Sequence, residues 1–511
     1  MGVANTHGDY KEMSSLWKRC RDAADGQSAV HDAGTEYLPL LADQSASEYN
    51  SYKTRANFYN ATWRTISGLQ GMIFRKPAFV KVPSVVEPLL EDVSLCGENL
   101  HMFSLELMEE LLTTGRVGIF VDYPVTDPLH TTQADTKAMG LRPVMKKYET
   151  ESIINWRCSV VNNKCVLSMV VLAEEVETVG DNEFDVVETT QYRVIDLAPA
   201  PVIAEGQLPP LVVRVRVFKV NDKNEDVLVD GPNYPMIKGK HLDTIPFFTI
   251  STDSVEIEPD IPPLMDLVDV NLAHYRVTAD YEHGCHFTGL PTPVITGYMP
   301  EKENQAFCIG SMTAWVFPRP DAKAHFLEFT GQGLKALEAN LARKETQMAV
   351  LGARMLENKQ NNGDSQNGAA VHIGGEQSLL ASIANAASIG IERALTMFAK
   401  YAGSDESCTY RLNKDFFPMP MSALNLTALV AAWQNGGISY QTLFENLQRG
   451  EVIDIDQTIE NELKKMEQHK PMIPGGTKVN QANTTGTHET TLPGSTTANP
   501  TQRQMQTPPK A

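Results

Sequence analysis

The sequence predicts an α+β protein. Helical apolar spacing dominates before residue 115 and again after residue 262, and a Val- and Ile-rich block with strand-like alternation lies between them. A Pro- and Gly-punctuated insert also separates two long helical stretches. The 511 residues suffice for about two to four domains. Hydrophobic residues make up 42% and charged ones 21%, so most of the chain can bury a core.

Residues 1–44 form an N-terminal segment with one short helix over 9–24, its apolar side made by Met13, Leu16, Trp17 and Cys20. Tyr49, Tyr52, Ala56, Tyr59, Trp63 and Ile66 then recur every three or four residues. They predict one aromatic-striped helix that ends before Pro77. Its rings read as core, because a base-stacking platform needs exposed rings in a basic groove. A second helix covers 104–114 with Leu105, Met108, Leu111 and Leu112, and Gly115 stops it. Val117 to Tyr123 reads as a buried strand. From 149 to 251 the chain is mostly strand, at 165–172, 186–197, 211–220 and 245–250. Val213, Val215 and Val217 alternate with Arg214 and Arg216, which predicts one buried and one solvated face.

The stretch from Glu258 to Gly403 organises the chain. Pro262 and Pro263 suit a first helical turn, where a missing N–H costs nothing. Leu264, Leu267, Val268, Leu272, Tyr275 and Ala279 follow at helical spacing, and Gly284 and Gly289 are expected to end the helix. The insert from His286 to Gln332 carries Pro291, Pro293, Gly297, Pro300, Gly310, Pro318 and Pro320, which forbid a long helix. A second helix over 333–357 has the stripe Leu334, Leu337, Leu341, Met348, Leu351 and Met355. Asn358 to Gly374 is a polar loop, too long for a simple turn. A third helix over 376–401 has no formal charge between Glu376 and Glu392, and Ala381, Ala384, Ala387, Ser388 and Gly390 keep its surface small for close packing. Tyr410 to Phe417 reads as a strand returning to the sheet region. Helices over 422–433, 439–448 and 454–469 follow. Residues 470–511 are rich in Thr, Asn, Gln, Pro and Gly and are expected to be disordered.

The net charge of -19 argues against tight binding along DNA, which needs clustered Lys and Arg. It is compatible with a protein through which DNA slides. Seven widely spaced cysteines with no Cys-x-x-Cys read as reduced thiols in a protein assembled in the cytoplasm. There is no signal-peptide core and no run of about 18 apolar residues, so no membrane span is expected. P-loop, His-Glu-x-x-His and Gly-x-Ser-x-Gly patterns are absent. The best metal candidate is Asp280, Glu282, His283, Cys285 and His286. His283 and His286 have ligand-like spacing, yet Gly284 and Pro291 argue that the helix frays there, which favours a polar helix end leading into a subunit contact. Glu256, Glu258, Asp260, Asp266 and Asp269 make the first helix acidic at its start, while Lys335, Arg343, Lys344 and Arg354 make the second basic. Two readings stay open: electrostatic pairing of these helices, within or between chains, or two solvated faces.

The order helix, insert, helix, polar loop, long helix resembles the core of tailed-bacteriophage portal proteins, the head-to-tail connector rings. Tyr52-Lys-Thr-Arg-Ala-Asn-Phe-Tyr-Asn60, Gly289-Leu-Pro-Thr-Pro-Val-Ile-Thr-Gly297, Phe329-Thr-Gly-Gln-Gly333 and Met348-Ala-Val-Leu-Gly-Ala-Arg354 resemble one branch of that family. The resemblance spans about residues 45–468 and lies in the ordered set more than in any one motif. It implies a wing of helices and sheet (45–257), stem helices (258–285 and 333–357), an α/β clip (286–332), a tunnel loop (358–374), a long wing helix with return strand (375–420) and a helical crown (421–469). It also implies a homododecameric ring at one capsid vertex, the conduit for packaging and ejecting double-stranded DNA. The implied partners are the terminase large subunit, major capsid and scaffolding proteins, and a head-completion or adaptor protein. No cofactor, membrane or catalysis is implied. On this sequence Asn361, Asn362, Asp364, Ser365, Gln366 and Asn367 would face DNA. Lys335, Arg343, Lys344, Arg354, Asp266 and Asp269 would line the channel or a subunit contact. Pro291, Pro293, Val294, Ile295, Trp315 and Phe317 would contact a neighbouring subunit or terminase. The rival readings are another phage head or adaptor protein, a metal-dependent hydrolase using the Asp280 to His286 cluster, and a nucleic-acid-binding module.

Overall fold

The computed structural model describes residues 2–124, 138–161, 163–180, 182, 184–201, 209–289, 292–297, 320–327, 331–355, 378–416, 423–450, 452–453 and 457–468. The chain divides into two units, Met1–Pro418 and Met419–Ala511.

In the first unit, α1 (Gly8–Asp25), α2 (Gln27–Asp32), α3 (Ala46–Arg55) and α4 (Ala61–Ile73) come first. The single aromatic helix expected over 49–66 is therefore two. Ser45 and Glu48 cap α3 reciprocally, the chain turns extended at Ala56, and the Asn60 side chain accepts from Trp63 N to start α4. The break turns Tyr59 and Trp63 outward while Ile66 stays in the core. Tyr49 and Tyr52 are buried, whereas Tyr59 and Trp63 are 43% and 40% exposed.

The N-terminal segment belongs to this unit's core. Trp17 is fully buried, and Arg21 donates to both Glu110 (2.8 Å) and Glu151 (2.7 Å). After β1 (Phe79–Lys81), α5 (Leu100–Thr114) starts on an Asn99 cap and stops at left-handed Gly115. A Cβ at Gly115 would press on Pro262 Cα at 3.3 Å.

Strand β2 (Arg116–Asp122) is buried throughout most of its length, because it is the centre of a three-stranded antiparallel sheet between β3 (Val144–Glu149) and a later strand. The second sheet is a five-stranded antiparallel meander of β4 (Ile153–Val161), β5 (Lys164–Val179), β6 (Val186–Pro199), β7 (Leu211–Val220) and β8 (Asp226–Asn233). Val213 and Val217 are buried as expected. The opposite face is half-exposed, and there Arg214 and Arg216 both donate to Asp196 on the adjacent strand, at 2.6 and 3.1 Å. A small hairpin of β9 (Met236–Ile237) and β10 (Lys240–His241) leads to β11 (Phe247–Ser251), which completes the first sheet beside β2.

Next come α6 (Met265–Gly289), the paired strands β12 (Thr292–Thr296) and β13 (Lys323–Leu327), α7 (Gln332–Arg354) and α8 (Leu379–Tyr401). Ser378 caps α8 by accepting from Ala381 N. The small residues of α8 let it lie on the three-stranded sheet, and a Cβ at Gly390 would stand 2.3 Å from Ile250 Cγ1. β14 (Thr409–Arg411) pairs with β1 and joins neither large sheet, which corrects the expected return to the sheet region. Tyr410 decides this: its ring enters the core and its hydroxyl donates to Ser104 at 2.8 Å. Helices and antiparallel sheets alternate in blocks along the unit, an α+β arrangement.

The second unit holds α9 (Ala423–Gln434), α10 (Tyr440–Arg449) and α11 (Ile459–Gln468), with Leu443 and Phe444 buried. The stretch 470–511, expected to be disordered, lies outside the described residues.

Gly390→Ala should destabilise the first unit by about 1–3 kcal/mol, because its new methyl has no room against Ile250. Urea unfolding checks this, and Ile250→Ala should cost less in the Gly390→Ala background than alone.

Candidate functional site

Met265 N bonds to Pro262 O at 3.1 Å, so Pro262 and Pro263 form the turn that launches α6 and are not its first helical residues. The helix also runs through Gly284 to Gly289, against the expectation that it frays at Gly284. The reason is the partner helix. Leu334 of α7 fills the space a Gly284 side chain would need, since a Cβ there would lie 2.7 Å from Leu334 Cδ2.

The two helices form one antiparallel hairpin. Leu267 lies opposite Gly352, His274 opposite Glu345, Gly284 opposite Leu334, and Thr288 opposite Gly331. This constant register holds the pair together along its length. The β12–β13 ladder, from Thr292 against Leu327 to Thr296 against Lys323, closes the far end. Pro293, Val294 and Ile295 lie in β12, and Val294 and Ile295 are half-buried. Pro291, Trp315 and Phe317 fall outside the described residues, as do Asn361, Asn362, Asp364, Ser365, Gln366 and Asn367.

The base of α6 is embedded. Val268, Leu272 and Tyr275 pack with Cys20, Tyr49, Tyr52 and Phe58. Asn271, fully buried, accepts from Thr62 N (3.1 Å) and Thr62 Oγ1 (3.0 Å) and donates to Tyr59 O (2.8 Å). It thus satisfies the start of α4 and fixes the hairpin to the body. A single Asn between Val268 and Leu272 in an apolar stripe was the sequence signal for this role, and stripe analysis passes over it. Tyr52 donates to Asp280 at 2.6 Å, and burial together with that carboxylate holds the Tyr52 hydroxyl well above its ordinary range.

Both histidines on α6's inner side favour the neutral form. His274 is buried, its pKa lowered by desolvation, while Glu345 opposes the shift from 3.6 Å, too far for a hydrogen bond. His283 meets the Tyr52 ring edge-on at 5.2 Å and is lowered by desolvation and then by Arg55. The proposed metal cluster is therefore occupied in packing: Asp280 serves Tyr52 and His283 serves two rings. Among the described residues no group of three His, Cys, Asp or Glu side chains can hold a metal ion.

The charges point away from the helix pair. Asp266 and Asp269 are exposed, and Asp269 pairs with Arg19 of α1 at 2.8 Å. Lys335 and Arg343 are exposed, and Arg343 donates to Asn340 at 2.9 Å. Lys344 is half-buried and its pKa is lowered by desolvation, then by Arg343 and Arg276. Arg354 ends α7, and its side chain is outside the described set. Among the described residues the approach of His274 to Glu345 is the only opposite-charge meeting of the two helices, so they do not pair electrostatically within one chain. The apolar stripe of α7 is only partly covered: Met348 is buried, but Leu334, Leu337, Leu341 and Leu351 are half-buried and Val350 is 47% exposed.

The profile of a family described as "Domain of unknown function (DUF4055)" matches residues 263–402, which run from the start of α6 to the end of α8. No curated protein matches the chain. Among solved structures the chain is similar to one in the neck of an empty GTA particle computed with C6 symmetry, at 11% identity over 76% of this chain and 90% of that one, with a TM-score of 0.38. It is likewise similar to one in the neck of a native GTA particle computed with C12 symmetry, at 10% identity over 76% and 89%, TM-score 0.36. A third is in the virion of a native gene transfer agent particle, at 10% identity over 80% and 95%, TM-score 0.36.

Two outcomes test the anchoring of the hairpin. Asn271→Leu strands the Thr62 amide and the Tyr59 carbonyl, and should cost about 2 kcal/mol or more in urea unfolding. Because folding lowers the pKa of His274 and His283, the unfolded chain binds more protons just below the ordinary imidazole value of about 6.5. Stability should therefore fall on acidification through that value, and His274→Gln should flatten the dependence of the melting temperature on pH.

Proposed function

We propose that the chain is a portal subunit of a tailed bacteriophage, which assembles into a homododecameric ring at one capsid vertex. The observation that carries this reading is the helical hairpin. Two helices stay in register from Leu267/Gly352 to Thr288/Gly331, end in a β-hairpin, and lead into a long buried helix. That order is the one the sequence resemblance implies. The half-covered stripe of α7 supports it, since such a surface is stabilised by a neighbour.

In this reading α6 and α7 are the stem, and Asp266, Asp269, Lys335, Arg343, Lys344 and Arg354 face the channel or the next subunit. Residues 286–332 are the clip, where Pro291, Pro293, Val294, Ile295, Trp315 and Phe317 meet a neighbouring subunit, the terminase large subunit, and later the head-completion protein. Residues 358–374 are the tunnel loop; Asn361, Asn362, Ser365, Gln366 and Asn367 are polar and uncharged, with Asp364 the one carboxylate of the six candidates, a composition that slides past phosphate without gripping it. The net charge of -19 acts in the same direction, repelling DNA over a Debye length of about 8 Å at physiological salt. Residues 421–469 form the crown inside the head, and major capsid and scaffolding proteins surround the ring. The subunit positions DNA and partners and performs no catalysis of its own.

Negative-stain electron microscopy with a solution mass is the test. The expected result is a ring with an axial hole and the mass of about twelve chains. A chain that stays monomeric alone and with its capsid and scaffolding proteins overturns the reading. Deleting residues 361–367 should leave the ring intact and impair DNA retention; unchanged retention would remove the tunnel-loop role.

A further inference from the structure

Part of the five-stranded sheet projects as a bare two-stranded arm. The β4 ladder along β5 stops at Leu172, and the β7 ladder along β6 begins at Tyr192. Between those points β5 and β6 pair only with each other, from Ala173/Tyr192 to Val179/Val186. Neither outer edge of the arm has a strand partner among the described residues, and on one of them Lys219 of β7 donates to Thr189 at 3.1 Å. A two-stranded hairpin is marginally stable in water by itself, and open edges are templates for pairing. Its base is anchored, since Arg193 binds Glu174 through two nitrogens, at 2.6 and 3.1 Å.

The side chains of the arm suit a partner better than water. Val179 and Val186 lie directly opposite each other on one face and are 73% and 63% exposed. Phe184 at the tip is 82% exposed. On the same face as the two valines, Glu177 stands directly across from Glu188, a like-charge pairing that destabilises an isolated hairpin. Residues 175–191 carry six carboxylates and no Lys or Arg. The arm therefore presents an apolar pair beside a carboxylate pair, with no cation of its own.

The inverse surface occurs elsewhere on the chain. In the β1–β14 pair, Tyr410 and Val80 stand opposite each other; Tyr410 enters the core, and Val80, at its margin, is 37% exposed. Phe79, Lys81 and Arg411 occupy the other face, all exposed, with Phe79 directly opposite Arg411. That face is one aromatic ring flanked by two cations, and neither the Lys81 nor the Arg411 side chain has a hydrogen-bond or ion-pair partner among the described residues.

We propose that the β5–β6 arm of one subunit docks on the outward face of the β1–β14 pair of a second copy of this chain, Val179 and Val186 against Phe79 and Glu177 and Glu188 against Lys81 and Arg411. The two surfaces differ, so the contact is heterologous and propagates from copy to copy, as a ring requires. This inference deepens the ring reading and rests on it for its occupant.

Charge exchange tests it on the full-length chain. Glu177→Lys with Glu188→Lys, and separately Lys81→Glu with Arg411→Glu, should each lower the assembled fraction by about tenfold or more in sedimentation velocity, because like charges then meet. Combining all four should restore most of the assembly. Glu177→Gln with Glu188→Gln, which keeps the shape of the hairpin, should weaken assembly less than the reversal. Far-ultraviolet circular dichroism of each variant should match the wild type. A wild type that assembles while the four-fold variant fails to recover, or while the reversals have no effect, overturns this docking alone. A wild type that never assembles, alone or with its capsid and scaffolding proteins, overturns it together with the ring reading.

Discussion

At Gly390 the backbone of α8 comes so close to Ile250 of β11 that no side chain fits between them. That approach depends on a helix surface made of Ala, Ser and Gly, and much of the first unit's core is arranged around it. The helix covers β2 and β11, whose side chains are buried on both faces. Its Ser388 hydroxyl accepts from Leu412 N at 3.0 Å, and Glu392 accepts from Tyr410 N at 3.2 Å. The short strand β14 is thereby held beside α8, and β1 follows because it pairs with β14.

The core also holds charged groups. Arg116 is completely buried and, among the described residues, forms no ion pair with a carboxylate. Its two terminal nitrogens donate to the carbonyls of Ile257 and Ile153 at 3.1 Å each, its Nε has no hydrogen-bond partner among the described residues, and its guanidinium lies 4.4 Å from the centre of the Trp156 ring and 5.7 Å from that of Trp17. Burial pushes its pKa down to about 9, and stacking on aromatic faces offsets part of that penalty. Arg21 joins α1 to α5 through Glu110, which is itself 5% exposed. These two arginines make the N-terminal helix a structural part of the body.

The helical hairpin follows a different logic. Its base is fixed by apolar packing and by Asn271, its length by the fit of glycines against Leu334 and Leu267, and its charges face outward. Among the described residues, the charges around the start of α6 and along α7 make few ties: Asp269 pairs with Arg19, Asp260 accepts from Thr252, and Arg343 donates to Asn340.

Sequence by itself determined the features set by local chemistry. The periodic stripes located the two hairpin helices, the charge-free run located α8, and Val/Arg alternation located β7. The caps at Asn60 and Ser378 bond to residues three positions away, yet the aromatic stripe reads straight across Asn60 because periodicity alone does not see a break. The metal candidate at Asp280 to His286 had the right residue types and spacing, but Tyr52, more than two hundred positions earlier, claims Asp280. What the tertiary structure decided depends on such distant neighbours. Leu334 carries α6 past Gly284, Asp196 takes bonds from two arginines, and Phe79–Lys81 takes up the returning strand. A helix continues, a charge finds a partner or a strand chooses its neighbour according to what occupies the adjoining space, and that occupant is set by packing, not by spacing along the chain.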